Sequence, residues 1–408
     1  MKVYLQTFGC RANQYDSEVV RGLLEQGGAE IVADVADADA AVFNSCAVTA
    51  AAEADVRRAV RRAARQRPTI NTVVMGCAAA RDPDGIGALP GVSRVIPAAG
   101  GAEVAAALGI PAGDARPARQ TGSRALLRIQ DGCDEHCTFC ATTLARGANR
   151  SRTVDALVAE AAQLGEHHGE IVLTGVHIGS YGLDAGTSLG ALVERLVHAA
   201  PRARFRLSSV EATEVDDRLR ERLASNDGGL VPYLHAPLQS GADSVLRRMG
   251  RHWYTAASYA RAIERIVRDA PVFGLGADII AGFPGESEDD HRATTSLVSS
   301  LPFTGLHVFP FSPRPGTAAQ RIGAAVSSAD ATRRAEELRA QGERLAAAYR
   351  ERRAGGYADV IVIGDRAHRN GLTEDYLSVI PADDALSRGT RTRMRLTLEN
   401  GVLFGRAC

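Results

Sequence analysis

Three cysteines, Cys133, Cys137 and Cys140, lie in the run IQDGCDEHCTFCATTLARG with the spacing C-x3-C-x2-C. Three thiolates this close can each bind one iron of a cubane cluster and leave the fourth iron without a protein ligand. An iron left open in this way can bind a small molecule and pass it an electron. Zinc, or three unrelated buried thiols, is the competing reading. Structural zinc sites use four ligands, often as two C-x2-C pairs. No second pair of that kind lies nearby, so the spacing favours the cluster.

A second set of thiols is spread along the first eighty positions. The runs 2–9, 40–46 and 71–77 are apolar and rich in β-branched residues, and they end at or near Cys10, Cys46 and Cys77. Helical patterns follow each run: Ser17 to Glu25, Ala50 to Arg65, and a weaker one after Arg81. Alternating strands and helices predict a parallel sheet covered on both faces. The carboxyl ends of such strands share one edge. The three cysteines can therefore converge although they lie 36 and 31 positions apart. Buried core thiols are the alternative, and placement at the same end of each strand argues against it.

The elements that must position the first triad come later. Residues 109–124, GIPAGDARPARQTGSR, lack an apolar period and read as a linker. Candidate strands follow at 125–131, 170–175, 204–210, 232–238, 274–281 and 304–311, separated by helical stretches at 153–166, 187–199, 215–224, 243–269 and 287–300. Six such units predict an open (β/α) barrel with its active groups at the carboxyl ends of the strands. A long charged helix is expected over 327–353, then the short β-like runs YADVIVI, YLSVI, RMRLTL and VLFGRA, which suit a small antiparallel barrel. The expected class is α/β: an N-terminal doubly wound parallel-sheet domain (1–110), a linker (111–123), a central partial (β/α)6 barrel (124–350) and a C-terminal β-barrel (356–408).

Composition narrows the setting. The chain has 408 residues, 45% of them hydrophobic, and no net charge. Lys2 is the single lysine, so arginine carries nearly all positive charge. Arginine suits phosphates and bases, although coding bias alone also yields this composition. No apolar run approaches the roughly 20 residues that span a bilayer. The start, MKVYLQTFGC, reads as a strand rather than a signal peptide. A soluble cytoplasmic protein is expected. Seven cysteines is an odd count, and reduced cytosolic thiols favour cluster ligation over disulfides. Cys408 has no partner in sequence and reads as inert.

The triad run resembles the signature of S-adenosylmethionine radical enzymes, with Phe139 at the position where that family has an aromatic. With TFGCRANQYDSE, FNSCAVTAAAEADVRR and VMGCAA, the whole chain resembles the radical S-adenosylmethionine methylthiotransferase family. Further matches are EIVLTGVHIGSYG, RLSSVEATEV, LHAPLQSGADSVLRRMGR, DIIAGFPGE and LHVFPFSPRPGTAA. Within the family the chain is most similar to the branch acting on threonylcarbamoyladenosine in tRNA. That likeness rests on Asn13-Gln14-Tyr15, Cys46-Ala47-Val48-Thr49, Ile129-Gln130-Asp131-Gly132-Cys133, Ala145-Arg146-Gly147 and the run Gly371 to Tyr376. It departs after Cys140, where Ala141, Thr142 and Thr143 replace two apolar residues and a proline, implying a less rigid loop. The C-terminal barrel, TRAM-like, is only loosely similar.

The resemblance implies two 4Fe-4S clusters and S-adenosyl-L-methionine as cofactors. One cluster would sit on Cys133, Cys137 and Cys140 and the other on Cys10, Cys46 and Cys77. Carbon 2 of adenine carries an unactivated C–H bond that no side-chain base can deprotonate, so a radical is the route. The first cluster would cleave S-adenosylmethionine to a 5′-deoxyadenosyl radical that takes the hydrogen, and the second would hold the sulfur. The implied reaction is methylthiolation of carbon 2 of N6-threonylcarbamoyladenosine beside the anticodon. Isopentenyladenosine or a ribosomal-protein aspartate is the alternative substrate. A non-catalytic iron–sulfur or tRNA-binding protein is the alternative of another class. Implied partners are tRNA, a reductant such as flavodoxin or ferredoxin, and an unidentified sulfur donor, with no membrane.

Other residues can serve the cofactor or only the fold. Thr174-Gly175 ends a strand, as a close backbone approach to ligand or a plain turn. Glu211 and Asp278 suit the amino group or ribose of the cofactor, or cap the next helix. Gln239 and Ser240 are similar. Gly282, Pro284 and Gly285 shape a loop that can accept ribose or carboxylate. His177 and His235 either bond substrate or are structural. Arg146, Arg150 and Arg152 either meet phosphate or the cofactor carboxylate, or form a solvated basic face. Arg391, Arg393 and Arg395 alternate along one strand and so share a face. They follow a phosphate backbone or shield an edge. Removing the chain after Gly355 is expected to spare radical chemistry, since both triads lie upstream.

Overall fold

The computed structural model describes all residues except 48–49, 98–99, 112, 114–118, 226, 366–367 and 384. Val48, Thr49 and much of the expected linker therefore lie outside the described residues. The first sheet has five parallel strands in the order Glu30–Val32, Lys2–Thr7, Ala40–Ser45, Asn71–Gly76, Val92–Pro97. Side chains alternate along each strand. Val42, Val73 and Met75 enter the core on one face, and Ala41, Phe43 and Val74 enter the core on the other. Burial on both faces explains the nearly continuous apolar runs.

The first helix spans Arg11–Gln26 rather than starting at Ser17. Cys10 occupies its N-cap without a side-chain bond to the helix's free backbone N–H groups, so the sequence carries no capping signal there. Cys10 thus sits where a strand–turn–helix transition begins.

Six parallel strands follow. Ala125–Arg128, Glu170–Thr174 and Arg204–Leu207 form one sheet. Tyr233–His235, Gly274–Ala281 and Gly305–Pro310 form another. A bridge between Ser209 and His235 and the 3.0 Å bond from Val210 N–H to the His235 carbonyl join the two. The result is an open barrel of six strands whose largest core lies between them and their helices.

The helix expected over 243–269 is two, Asp243–Arg248 and Ala256–Val267. The chain turns at Gly250, with φ +75°, and restarts at a Thr255/Ser258 capping box. Thr138, between Cys137 and Cys140, bonds this turn: its N–H reaches the Met249 carbonyl at 2.9 Å and its hydroxyl the Arg248 carbonyl at 2.9 Å.

The last 52 or so residues close into a five-stranded barrel, Tyr357–Val362, Gly371–Thr373, Ser378–Pro381, Arg391–Glu399 and Val402–Ala407. It packs against the amino-terminal ends of the central strands, away from the cysteines. Arg204 and Arg206, wholly buried, straddle the equally buried Glu170 with Nε–O distances of 2.7 and 2.8 Å. Their remaining N–H groups donate to the carbonyls of Leu372, Thr373 and Glu374. Two guanidinium charges hold the Glu170 carboxyl well below its usual range despite burial. Truncation after Gly355 would strip these partners from buried charges, which is strongly destabilising. The expected survival of the radical chemistry then depends on whether the remaining chain, which keeps both triads and the Glu170 pairs, stays folded without these carbonyls. Among the described residues, no helix is long and apolar enough to cross a membrane.

Candidate functional site

Five of the six triad cysteines, Cys10, Cys77, Cys133, Cys137 and Cys140, line one cavity of about 440 Å³. Cys46 directly follows its strand and is buried beside Ala47, which also lines the cavity. Cys77 likewise directly follows its strand. The sulfurs of Cys10 and Cys77 each lie 3.8 Å from Asn13 Oδ1. Gly9, at φ +98°, brings the chain so close to Cys46 that a Cβ there would collide with its sulfur. The three thiols are therefore gathered by strand ends and by the first turn of one helix.

Arg146 ties the two triads together. It is buried, with its side chain 3% exposed. Its Nε donates to Cys77 Sγ at 3.3 Å, and its terminal nitrogens reach Asn13 Oδ1 at 2.8 Å, Asp16 at 2.9 Å and Asp131 at 3.1 Å. Neither a solvated basic face nor a phosphate contact describes it. Arg152 is also engaged, bonding Tyr15, Glu160 and the Arg128 carbonyl, whereas Arg150 is exposed. Asn13 and Asp16, three apart on one helical face, were not singled out as site residues from sequence.

Ala141, Thr142 and Thr143 do not leave a loose loop. A short helix runs Thr142–Arg146 and packs Ala145 against Cys77 and Ala78. The Thr142 N–H donates to Cys140 Sγ at 3.3 Å.

Around the second triad, burial pushes the Cys137 thiol up to about 12, against the pull of Arg251, whose NH1 is 3.5 Å from the sulfur. Arg251 also pairs with Glu211 and lies over Trp253. The Gly250 turn is what brings it there. Glu211 lines the cavity with its other oxygen, Oε2, buried and without a partner. Burial raises its pKa against Arg251. An orphaned carboxylate oxygen at this wall fits a donor such as an amino or ribose hydroxyl group. With three thiols on each side, the donor set suits two clusters and a small polar cofactor.

His177 bridges Cys133 Sγ, at 3.7 Å, and Glu214, at 2.8 Å. Burial would lower its pKa, but bonds to Cys133 and Glu214 hold it at about 10. Gly175, Gln239, Asp278 and Phe139 line the cavity, and Phe139 packs edge-on against Phe283 at 6.3 Å. Gln239 has φ +62°, a costly backbone for a residue with a side chain. A Cβ at Gly175 would meet Gln130 and Ile178, so protein packing already demands glycine.

Several expected residues are placed elsewhere. Thr174 is buried in the sheet, its carbonyl accepting from Ile129, and it is not part of the lining. Ser240 is buried and caps the turn at Ala242. Gly282 packs on Ala331, and Gly285 on Arg248, away from the cavity. Pro284 lies between them and is likewise absent from the lining. His235 faces Asp278 at 3.0 Å from the far side.

A family model described as the uncharacterized protein family UPF0004 matches residues 2–96, and the radical SAM superfamily matches residues 127–298. A threonylcarbamoyladenosine tRNA methylthiotransferase MtaB of Thermotoga maritima is 34% identical, over 99% of this chain and 97% of that one. Its counterpart in Bacillus subtilis is 33% identical over 93% and 90%. A tRNA-2-methylthio-N(6)-dimethylallyladenosine synthase of Chlorobium luteolum is 31% identical over 97% and 94%. Among solved structures, the radical S-adenosylmethionine methyltransferase TsrM of Kitasatospora setae shares the fold, with a TM-score of 0.61 at 15% identity over 78% of this chain and 76% of that one.

Proposed function

This chain belongs to the radical S-adenosylmethionine methylthiotransferase family, and from that premise we propose that it methylthiolates carbon 2 of N6-threonylcarbamoyladenosine beside the anticodon of tRNA. The observation that carries the reading is the single cavity bordered by both triads. Hydrogen removal and sulfur delivery must meet at one carbon atom, so the two sites have to share a space. Relatives named for this substrate match nearly the full chain.

Cys133, Cys137 and Cys140 would hold one 4Fe-4S cluster, and Cys10, Cys46 and Cys77 the other. When bound, the clusters supply the electron for reductive cleavage of S-adenosylmethionine and a seat for the transferred sulfur. The protein's own part is placement. Arg146 fixes the helix after Cys140 against Cys77 and Asp16. Arg251 compensates negative charge at Cys137 while orienting Glu211. Glu211 Oε2 accepts from the cofactor, and Gln239 and Asp278 shape the same wall. The division 1–110, 111–123, 124–350 and 356–408 fits this placement, with both matched family segments falling inside separate units. The electron comes from outside the chain, which a flavodoxin or ferredoxin would satisfy, in the cytoplasm where tRNA is modified.

The test is nucleoside mass spectrometry of tRNA from a strain lacking the gene. Threonylcarbamoyladenosine should persist without its methylthio group and regain it on complementation. Loss of methylthio from isopentenyladenosine instead would assign the other branch.

The C-terminal barrel would add RNA contacts through its outer face. Arg393 and Arg395 are exposed there, with Arg393 over the ring of Tyr357 at 4.8 Å. Arg391 is spent on Asp359, at 2.8 Å, and the Gly228 carbonyl. Replacing Arg393 and Arg395 by alanine should lower the steepness of the log–log salt dependence of tRNA binding by about one to two. An unchanged slope would remove the barrel face from the RNA interface.

A further inference from the structure

A second cavity, about 540 Å³, lies behind the cysteine cavity. The two meet at a cluster of three side chains on neighbouring parallel strands. Asp278 lines the cysteine cavity. Its Oδ1 lies 3.0 Å from His235 Nε2 and 3.3 Å from His307 Nδ1. Both imidazoles line the second cavity. Asp278 and His307 are direct partners in strand register, so the cluster is built into the sheet.

The walls of this cavity mix apolar groups such as Leu306, Val308, Ala346 and Leu377 with charged side chains that are mainly cationic. Arg339 and Arg350 of the long helix Ser328–Arg353 line it, with Glu343 as the one acid. Among the described residues neither arginine has an ion-pair partner; Arg339 donates to the Val308 carbonyl at 2.9 Å, and Arg350 Nε is buried without any bond. Asp278 also raises the proton affinity of His307. The stacked rings of Tyr233 and Tyr376, 4.4 Å apart, complete one side.

We infer that this second cavity receives the anionic N6 substituent of the substrate adenosine, with Arg339 and Arg350 taking its carboxylate and the His235–Asp278–His307 cluster its hydroxyl and N–H groups. The inference rests on the proposed function and names the part of the site that selects the substrate. A threonylcarbamoyl group carries one carboxylate, one hydroxyl and urea N–H donors. Arginine forks match a carboxylate, and Asp278 with its imidazoles offers acceptors and donors at the boundary between the cavities. An isopentenyl group has no polar atom. Seating it here would give the remaining N–H groups of Arg339 and Arg350 no acceptor, the buried Arg350 Nε among them, which is how a charged site rejects an apolar analogue.

The test uses the cluster-loaded full chain and three anticodon stem-loop RNAs carrying threonylcarbamoyladenosine, isopentenyladenosine or adenosine at the same position. Methylthio product is measured by mass spectrometry. The double variant Arg339→Gln, Arg350→Gln should lose about tenfold or more in kcat/KM on the threonylcarbamoyl RNA, chiefly through KM, as expected for lost charged hydrogen bonds. Its preference for that RNA over the isopentenyl RNA should fall by the same factor. S-adenosylmethionine cleavage without RNA should stay at the wild-type rate, because neither arginine lines the cysteine cavity. Arg339→Gln alone, at an exposed helix position, gives the same direction should the double variant fail to fold. Unchanged preference in either folded variant would overturn the inference. So would a zinc or manganese ion retained by the cluster-loaded protein and lost in His307→Ala, since the three ligand atoms lie within 4.8 Å of one another. Wild-type protein that leaves the threonylcarbamoyl RNA unmodified would instead overturn the proposed function.

Discussion

Cys137→Ala is expected to abolish 5′-deoxyadenosine formation and to remove about half of the iron taken up on anaerobic reconstitution. Burial pushes the Cys137 thiol up to about 12, and Arg251 is close enough to counter that. An uncharged buried thiol ligates poorly, so iron and Arg251 together must stabilise the thiolate. The loop is also pinned, through Thr138, to the Gly250 turn and, through the Ala319 N–H, to the segment before the long helix. It cannot swing another residue into the vacant position. The N-terminal triad keeps all three thiols and should retain its iron. Unchanged iron content with unchanged cleavage would show that these cysteines hold no cluster.

Cys46→Ala should act in the opposite sense. Reductive cleavage of S-adenosylmethionine persists near the wild-type rate, while methylthio product falls below detection. The change removes a buried sulfur from between Gly9 and the strand end. It touches neither Arg251 nor Glu211. Arg146 remains to hold Cys77 and Asn13, so the two units stay docked and the loss can be read as loss of a ligand. A parallel absorption or paramagnetic resonance measurement should show one cluster remaining. Product forming at the wild-type rate would mean that the sulfur is delivered from elsewhere.

What was legible in the sequence was chemistry confined to short spans or fixed by strand period. The C-x3-C-x2-C spacing needs no tertiary information. Cys46 and Cys77 could be placed at strand ends because doubly buried strands leave unbroken apolar runs, and the parallel sheet then does the convergence. That Arg391, Arg393 and Arg395 share a face followed from alternation alone, but not that Arg391 is taken up by Asp359 while the other two are exposed. Arg146 was not legible. Its partners lie 15, 69, 130 and 133 positions away, and nothing local separates a buried arginine from a solvated one. Arg204 and Arg206 read as ordinary strand residues for the same reason, since their carbonyl partners are 167 and 168 positions distant. Three-residue strands such as Glu30–Val32 and Gly371–Thr373 carry too little pattern to be seen. The break at Gly250 hid inside a helical period, and with it Arg251, which reaches both Cys137 and Glu211.

The central claim is that two cysteine triads on one cavity serve one carbon of one modified adenosine. It is tested most directly in the deletion strain, complemented in turn by wild type, Cys137→Ala and Cys46→Ala, with tRNA nucleosides read by mass spectrometry. Wild type should restore the methylthio form of threonylcarbamoyladenosine, and each single variant should leave only the unthiolated nucleoside although their triads lie in different parts of the chain. Restoration by either variant, or a methylthio group restored on a different nucleoside, would contradict the account.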